Sequence, residues 1–147
     1  MTTKPLTVTP HDSLAVAAER MWAGDCGSLP VVNDAGEVVA MVTDRDICMA
    51  AWSQNQSPQQ LSVQQAMSKN VVTCKPDDTV ETVEGAMRSA RVRRVPVVDQ
   101  DGRLEGVISL ADIVVGEMVG VQPGARPNDG LSTLAIICER PSPCGDG

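Results

Sequence analysis

Two hydrophobic spacings alternate along this chain, and the alternation runs through twice. Leu6-Thr7-Val8 is a short extended run that Pro10 stops, and Asp12 then stands where a helix N-cap is expected. Leu14, Ala17, Ala18 and Met21 follow at i, i+3, i+4 and i+7, which predicts one apolar helical stripe. Residues 29–32 read as a strand, Asn33-Asp34-Ala35-Gly36 as a turn in which the glycine takes positive φ, and residues 38–42 as the returning strand. Both strands look apolar on both faces, so helices should cover the sheet. The second passage repeats the plan: Asp78 as cap, Val80, Val83 and Met87 as stripe, residues 95–98 as strand, Asp99-Gln100-Asp101-Gly102 as turn, and residues 104–108 as strand.

The repetition is exact in register. A shift of 66 residues lays residues 6–47 on 72–113 without a gap, matching Thr7 to Thr73, Pro10 to Pro76, Asp12 to Asp78, Met21 to Met87, Pro30-Val31-Val32 to Pro96-Val97-Val98, Gly36 to Gly102 and Asp46-Ile47 to Asp112-Ile113. Residues 1–52 form the first unit, 53–65 a linker and 66–119 the second unit. Within the linker, residues 53–60 are polar and Gln-rich, and a short helical piece is expected around 63–67. Residues 120–147 hold a Pro- and Gly-rich stretch at 121–130, a candidate short helix at 131–139 and a tail expected to be disordered. A unit of roughly 45 residues is too small to be stable alone, so the two should pack face to face as one α/β domain.

Composition narrows the chemistry. Of 147 residues, 42% are hydrophobic and 21% charged, the balance of a protein with a buried core. No apolar run approaches the roughly 20 residues of a transmembrane helix, and Met1-Thr2-Thr3-Lys4-Pro5 lacks the apolar segment of a signal peptide; a cytoplasmic protein is expected. The net charge of -7 argues against a general affinity for nucleic acid or anionic membrane, despite the arginines in 88–94. Two Trp, no Tyr and no Phe leave almost nothing to stack bases. Five cysteines without C-x-x-C spacing read as reduced thiols, several of them packed, Cys48 included. The single histidine, His11, has no ligand cluster around it, so no metal is expected, and it has no nucleophilic partner. No Walker or Gly-x-Gly-x-x-Gly loop occurs.

The informative segments lie where the last strand of each unit meets the last helix: Ala40-Met41-Val42-Thr43-Asp44-Arg45-Asp46-Ile47 and Gly106-Val107-Ile108-Ser109-Leu110-Ala111-Asp112-Ile113. A hydroxyl three residues before an acid is, at its simplest, a capping box. Together with the repeat and the Leu/Val-Pro-Val-Val strand ending in a Gly turn, however, the pattern resembles the cystathionine-β-synthase (CBS) domain, and two copies resemble a CBS pair, or Bateman module, over residues 6–114. The resemblance implies two β-α-β-β-α units packed about a pseudo-twofold axis, with clefts that bind AMP first, or ADP, ATP or S-adenosylmethionine.

By the same resemblance, Asp112 and Asp46 would hold a ribose diol, Ser109 and Thr43 a phosphate, Met41, Val107 and Ile108 the adenine walls, and the strand at Asn70-Val71-Val72 the base edge. An ionised carboxylate offers only acceptors, which suits a diol, and a hydroxyl at a helix start suits a phosphate. Arg93 and Arg94 stand where the family places phosphate contacts, with Arg88 and Arg91 on the same edge, whereas unit one has Gly27-Ser28. Ala40 replaces an expected Gly, its methyl narrowing the cleft of unit one. A regulatory nucleotide sensor is implied, without catalysis, working as a homodimer or through a protein partner; Met21, Trp22 and Trp52 are its candidate surface residues. The alternative is a dimerisation module with no working nucleotide site.

Overall fold

The computed structural model describes residues 4–119, and side chains as far as residue 114. The expected tail helix and disordered end lie outside the described residues. Unit one runs α1 (Leu14–Ala23), β1 (Ser28–Val32), β2 (Val38–Thr43) and α2 (Asp44–Gln54); unit two runs α3 (Val80–Ala90), β3 (Arg94–Val98), β4 (Leu104–Ser109) and α4 (Leu110–Val119). Each unit holds one antiparallel hairpin sheet, β1-β2 or β3-β4, with the same one-residue irregularity after Val31 and after Val97. Each turn is locked alike. Asn33 Oδ1 accepts the Ala35 and Glu37 amides, Asp99 Oδ1 accepts those of Asp101 and Arg103, and Gly36 and Gly102 take φ of 82° and 81°.

The opening strands reduce to single parallel bridges, Val8 to Val31 and Cys74 to Val97. The helix caps fall one residue later than the pattern predicts. Asp12 and Asp78 fold back to accept the Thr9 and Lys75 amides, both at 2.8 Å, and leave capping to Ser13 and Thr79. Leu14, Ala17 and Met21 are buried, but Ala18 is exposed, and in unit two Val80 is 42% exposed above buried Val83 and Met87. Nor is β2 buried on both faces, since Val39 reaches solvent. α2 extends to Gln54, and a 3-10 turn spans Val63–Gln65. The linker is no bare tether: Leu61 and Val63, 1% and 0% exposed, complete the core of unit one.

The two units meet through residues that are equivalent under the 66-residue shift. The Val38 amide donates to the Gly102 carbonyl at 3.0 Å and the Leu104 amide to the Gly36 carbonyl at 3.1 Å, with Glu37 bridged to Arg103 between them. At a second point Arg94 Nη1 donates to Ser28 Oγ at 3.4 Å, again a pair 66 apart. Reciprocal contacts between equivalent positions define a pseudo-twofold axis, which passes between the two turns and between Ser28 and Arg94.

Candidate functional site

A cleft of about 430 Å³ opens beside the second of these contacts. Unit two contributes Arg94, Val107, Ser109 and Asp112; unit one contributes Lys4-Pro5-Leu6, Gly24-Asp25-Cys26 and Ser28-Leu29-Pro30. Ser109 ends β4 and Asp112 lies in the first turn of α4, so the strand-to-helix junction delivers both to the same wall. The Ser109 amide donates to Asp112 Oδ2 at 2.8 Å, and the Asp112 amide to Ser109 Oγ at 3.1 Å. The capping box therefore exists. A carboxylate offers about four acceptor positions, and the hydroxyl that accepts an amide can still donate its proton.

Unit one builds the same box: the Thr43 amide reaches Asp46 Oδ2 at 2.9 Å, and the Asp46 amide reaches Thr43 Oγ1 at 3.1 Å. One neighbour differs. Asp44 stands where unit two has Leu110, and its Oδ1 accepts the Arg45 amide at 2.7 Å. A carboxylate thus occupies a first-turn amide that a phosphate would use and places a like charge beside it. Ala40 is fully buried in the unit-one core.

Of the residues singled out by sequence, the structure brings Arg94, Val107, Ser109 and Asp112 into this cleft. Ile108 packs against the core of unit two. The Arg93 side chain is exposed; its carbonyl accepts the Leu110 amide at 2.8 Å and so anchors the start of α4. Arg88 and Arg91 are exposed and do not line the cleft. Met41 exchanges two backbone hydrogen bonds with Ser68, at 3.2 and 2.8 Å, which brings the segment carrying Val71 to unit one. Asp46 and Thr43 sit at that other junction.

The segment that lines the Asp112 cleft is therefore Lys4-Pro5-Leu6, the repeat equivalent of Asn70-Val71-Val72. Sequence reasoning missed Lys4, which sets a second cation at the rim. Its signal was the register itself, because Lys4 aligns with Asn70. Cys48, expected to be packed, is exposed, and burial, then the charge of Asp78, pushes the Cys74 thiol above its ordinary value. Among the described residues no group of three His, Cys, Asp or Glu is placed to hold a metal ion, and no helix is long and apolar enough to cross a membrane.

The CBS domain family model matches residues 1–53 and again 63–116. The chain is 34% identical over 125 residues to the CBS domain-containing protein YhcV of Bacillus subtilis, covering 85% of this chain and 87% of that one. Its fold is similar to that of the CBS-domain containing protein ATU1752 of Agrobacterium tumefaciens, at 36% identity and a TM-score of 0.69 over 78% of this chain and 90% of the other. It is also similar to the CBS domain pair of protein MJ0100, solved with 5′-methylthioadenosine and S-adenosyl-L-methionine, at 29% identity and a TM-score of 0.65 over 81% and 91%.

Proposed function

The chain belongs to the CBS-domain family as a tandem pair, and we propose that it is a regulatory module that binds an adenine nucleotide, AMP before ADP, ATP or S-adenosylmethionine, in the cleft between its units. The observation that carries this reading is the convergence of Asp112, Ser109 and Arg94 on one cleft with apolar Val107, Leu29 and Leu6. The Asp112 carboxylate, which offers acceptors only, accepts from the ribose diol. The Ser109 hydroxyl donates to the phosphate beside the Ala111 amide at the start of α4, where the helix dipole favours an anion. Arg94 and Lys4 supply positive charge, and the backbone of the 4–6 segment borders the base. The MJ0100 pair, with its adenosyl ligands, supports the ligand class. These groups hold a ligand rather than transform it, so the module acts as a sensor and not as an enzyme.

A thermal-shift series with AMP, ADP, ATP, S-adenosylmethionine and NAD tests the reading. A ligand at 100 times its Kd stabilises by about 2.7 kcal/mol, a shift well above assay noise. No shift with any of them, at millimolar concentration, would remove the nucleotide reading.

The closed capping boxes at both junctions favour the second reading, a dimerisation module in which Asp46 and Asp112 only start helices. Assembly belongs to either reading. Trp22 is 90% exposed, Trp52 76% and Met49 48%, which puts three large apolar side chains in solvent on the two helices of unit one. We read this face as the homodimer surface. Met21, expected there, is buried in the core. Light scattering at tens of micromolar should give twice the chain mass.

A further inference from the structure

A groove of about 560 Å³ is lined by α1, the turn at residues 25–27 and α2. Two free thiols stand in its wall, Cys26 on the turn and Cys48 on α2. Cys48 is exposed and Cys26 half-buried. Cys26 lines the Asp112 cleft as well, so the turn is a wall common to both cavities.

The backbone brings the two cysteines to one contact. The Asp44 amide donates to the Gly27 carbonyl at 3.1 Å, which seats the first turn of α2 on the turn that carries Cys26. A Cβ at position 27 would lie 3.1 Å from Asp44 Oδ2, so glycine permits this approach. Cys26 is the residue before the contact. Cys48 follows it by four residues, one helical turn or about 5.4 Å along the face that carries Asp44. A disulfide joins Cα atoms about 4.4–6.8 Å apart, and Gly27 gives the turn backbone freedom to close on Cys48. Packing does not call for sulfur at either place, since the repeat equivalents are Val92 and Val114. Cys74 is the contrast, buried in the core of unit two where unit one has Val8.

We propose that Cys26 and Cys48 form a reversible dithiol–disulfide pair whose oxidant is a low-molecular-weight disulfide that enters the groove. The exposed Cys48 thiolate attacks one sulfur of the small disulfide, forming a mixed disulfide and releasing one small thiolate. The Cys26 thiolate then attacks the Cys48 sulfur, which closes the protein bridge and releases the second small thiolate. The two cysteines give up two electrons and two protons, and the small disulfide leaves as two thiols. An excess of small thiol reverses both steps. The bridge fastens the turn that lines the Asp112 cleft to α2, and its formation does not depend on what that cleft binds.

The test is incubation of the full chain with hydroxyethyl disulfide, then acid quenching, blocking of remaining thiols and mass spectrometry of the tryptic peptides. Cleavage after Arg20, Arg45 and Lys69 puts Cys26 in residues 21–45 and Cys48 in residues 46–69. These two peptides should appear linked, lighter by two hydrogens than their sum, and should outnumber the mixed disulfide at Cys48 by about tenfold or more. Dithiothreitol should separate them, and the double variant Cys138→Ser, Cys144→Ser should link them equally. In Cys26→Ser the reaction should stop at the mixed disulfide on Cys48, and in Cys48→Ser the reaction of Cys26 should slow. Cys74, blocked only after unfolding, reports in the same map that the fold persists. A mixed disulfide that accumulates on Cys48 while Cys26 stays a thiol would overturn the proposal. So would linkage of Cys48 only to Cys138, to Cys144 or to a second chain.

Discussion

Replacing Arg94 by alanine separates what this side chain does for the fold from what it does for a ligand. Among the described residues its side chain makes one hydrogen bond, to Ser28 Oγ at 3.4 Å, at the long end of the range, and both partners can be hydrated when it breaks. The contact is then worth about 0.5 kcal/mol, so Arg94→Ala should lower Tm by roughly 2 °C. A charge-assisted bond to a phosphate is worth about 1.5–3 kcal/mol, and partial exposure of the guanidinium favours the lower half of that range. AMP affinity should therefore fall about 10- to 50-fold while adenosine affinity moves by less than about twofold. Arg94→Lys, which keeps the charge but loses the planar fork, should recover part of the loss. Calorimetric titration of AMP and adenosine at low and high salt reads all of these. The AMP difference should shrink with salt, because such interactions are screened over about 8 Å at physiological ionic strength. Equal losses for AMP and adenosine would show that Arg94 shapes the cleft and does not touch phosphate, and the assignment would fail.

Four other outcomes follow from the same geometry. Asp112→Ala should weaken AMP and adenosine alike by about 10-fold or more and lower stability by about 1 kcal/mol through the lost cap; a stability loss with unchanged affinity would leave Asp112 as a cap only. Asp44→Leu gives the unit-one junction the residue of unit two, releases the Arg45 amide and removes a like charge, so AMP stoichiometry or affinity should rise in the same titration. Arg91 ends α3 with a left-handed φ of 55°, and Arg91→Gly should raise stability by about 0.5 kcal/mol in urea denaturation, the left-handed strain relieved outweighing glycine's entropy. Burial raises the Cys74 thiol, so the unfolded chain loses that proton first; stability should be whole below pH 9.0 and fall as pH rises through the folded value, and alkylation mapped by mass spectrometry should reach Cys48 before Cys74.

The double passage of the hydrophobic pattern announced the fold because each unit buries the same positions: Leu29 with Val95, Val31 with Val97, Met21 with Met87. What the pattern misplaced has a local cause in each case. Asp12-Ser13 and Asp78-Thr79 each offer two capping residues in a row, and spacing rules cannot choose between them. The turn before the helix chooses, by drawing the aspartate back onto Thr9 or Lys75. Val8 was readable as extended, but a strand needs a ladder, and at Val8, as at its repeat equivalent Cys74, the chain crosses the sheet edge for only one bridge. Leu61 and Val63 showed no period at all among glutamines and serines. Two isolated apolar residues in a polar stretch were the available sign that this linker packs.

Half of the site was legible for a related reason. The hydroxyl-to-aspartate junction is local in sequence, so Ser109 and Asp112 could be named from one octapeptide, and Arg94 from its place before a buried strand. The opposite wall is not local. A twofold relation between repeats lets each opening segment serve the other unit, as the Met41–Ser68 pairing does for unit one and the 4–6 segment does at the Asp112 cleft. The axis also explains why the repeats diverge at Ser28 and Arg94. A residue near a twofold axis meets its own counterpart, so two arginines there would face each other as like charges, and two serines would leave the centre without a cation. One of each avoids both results, and the single guanidinium lines the cleft that holds Ser109 and Asp112.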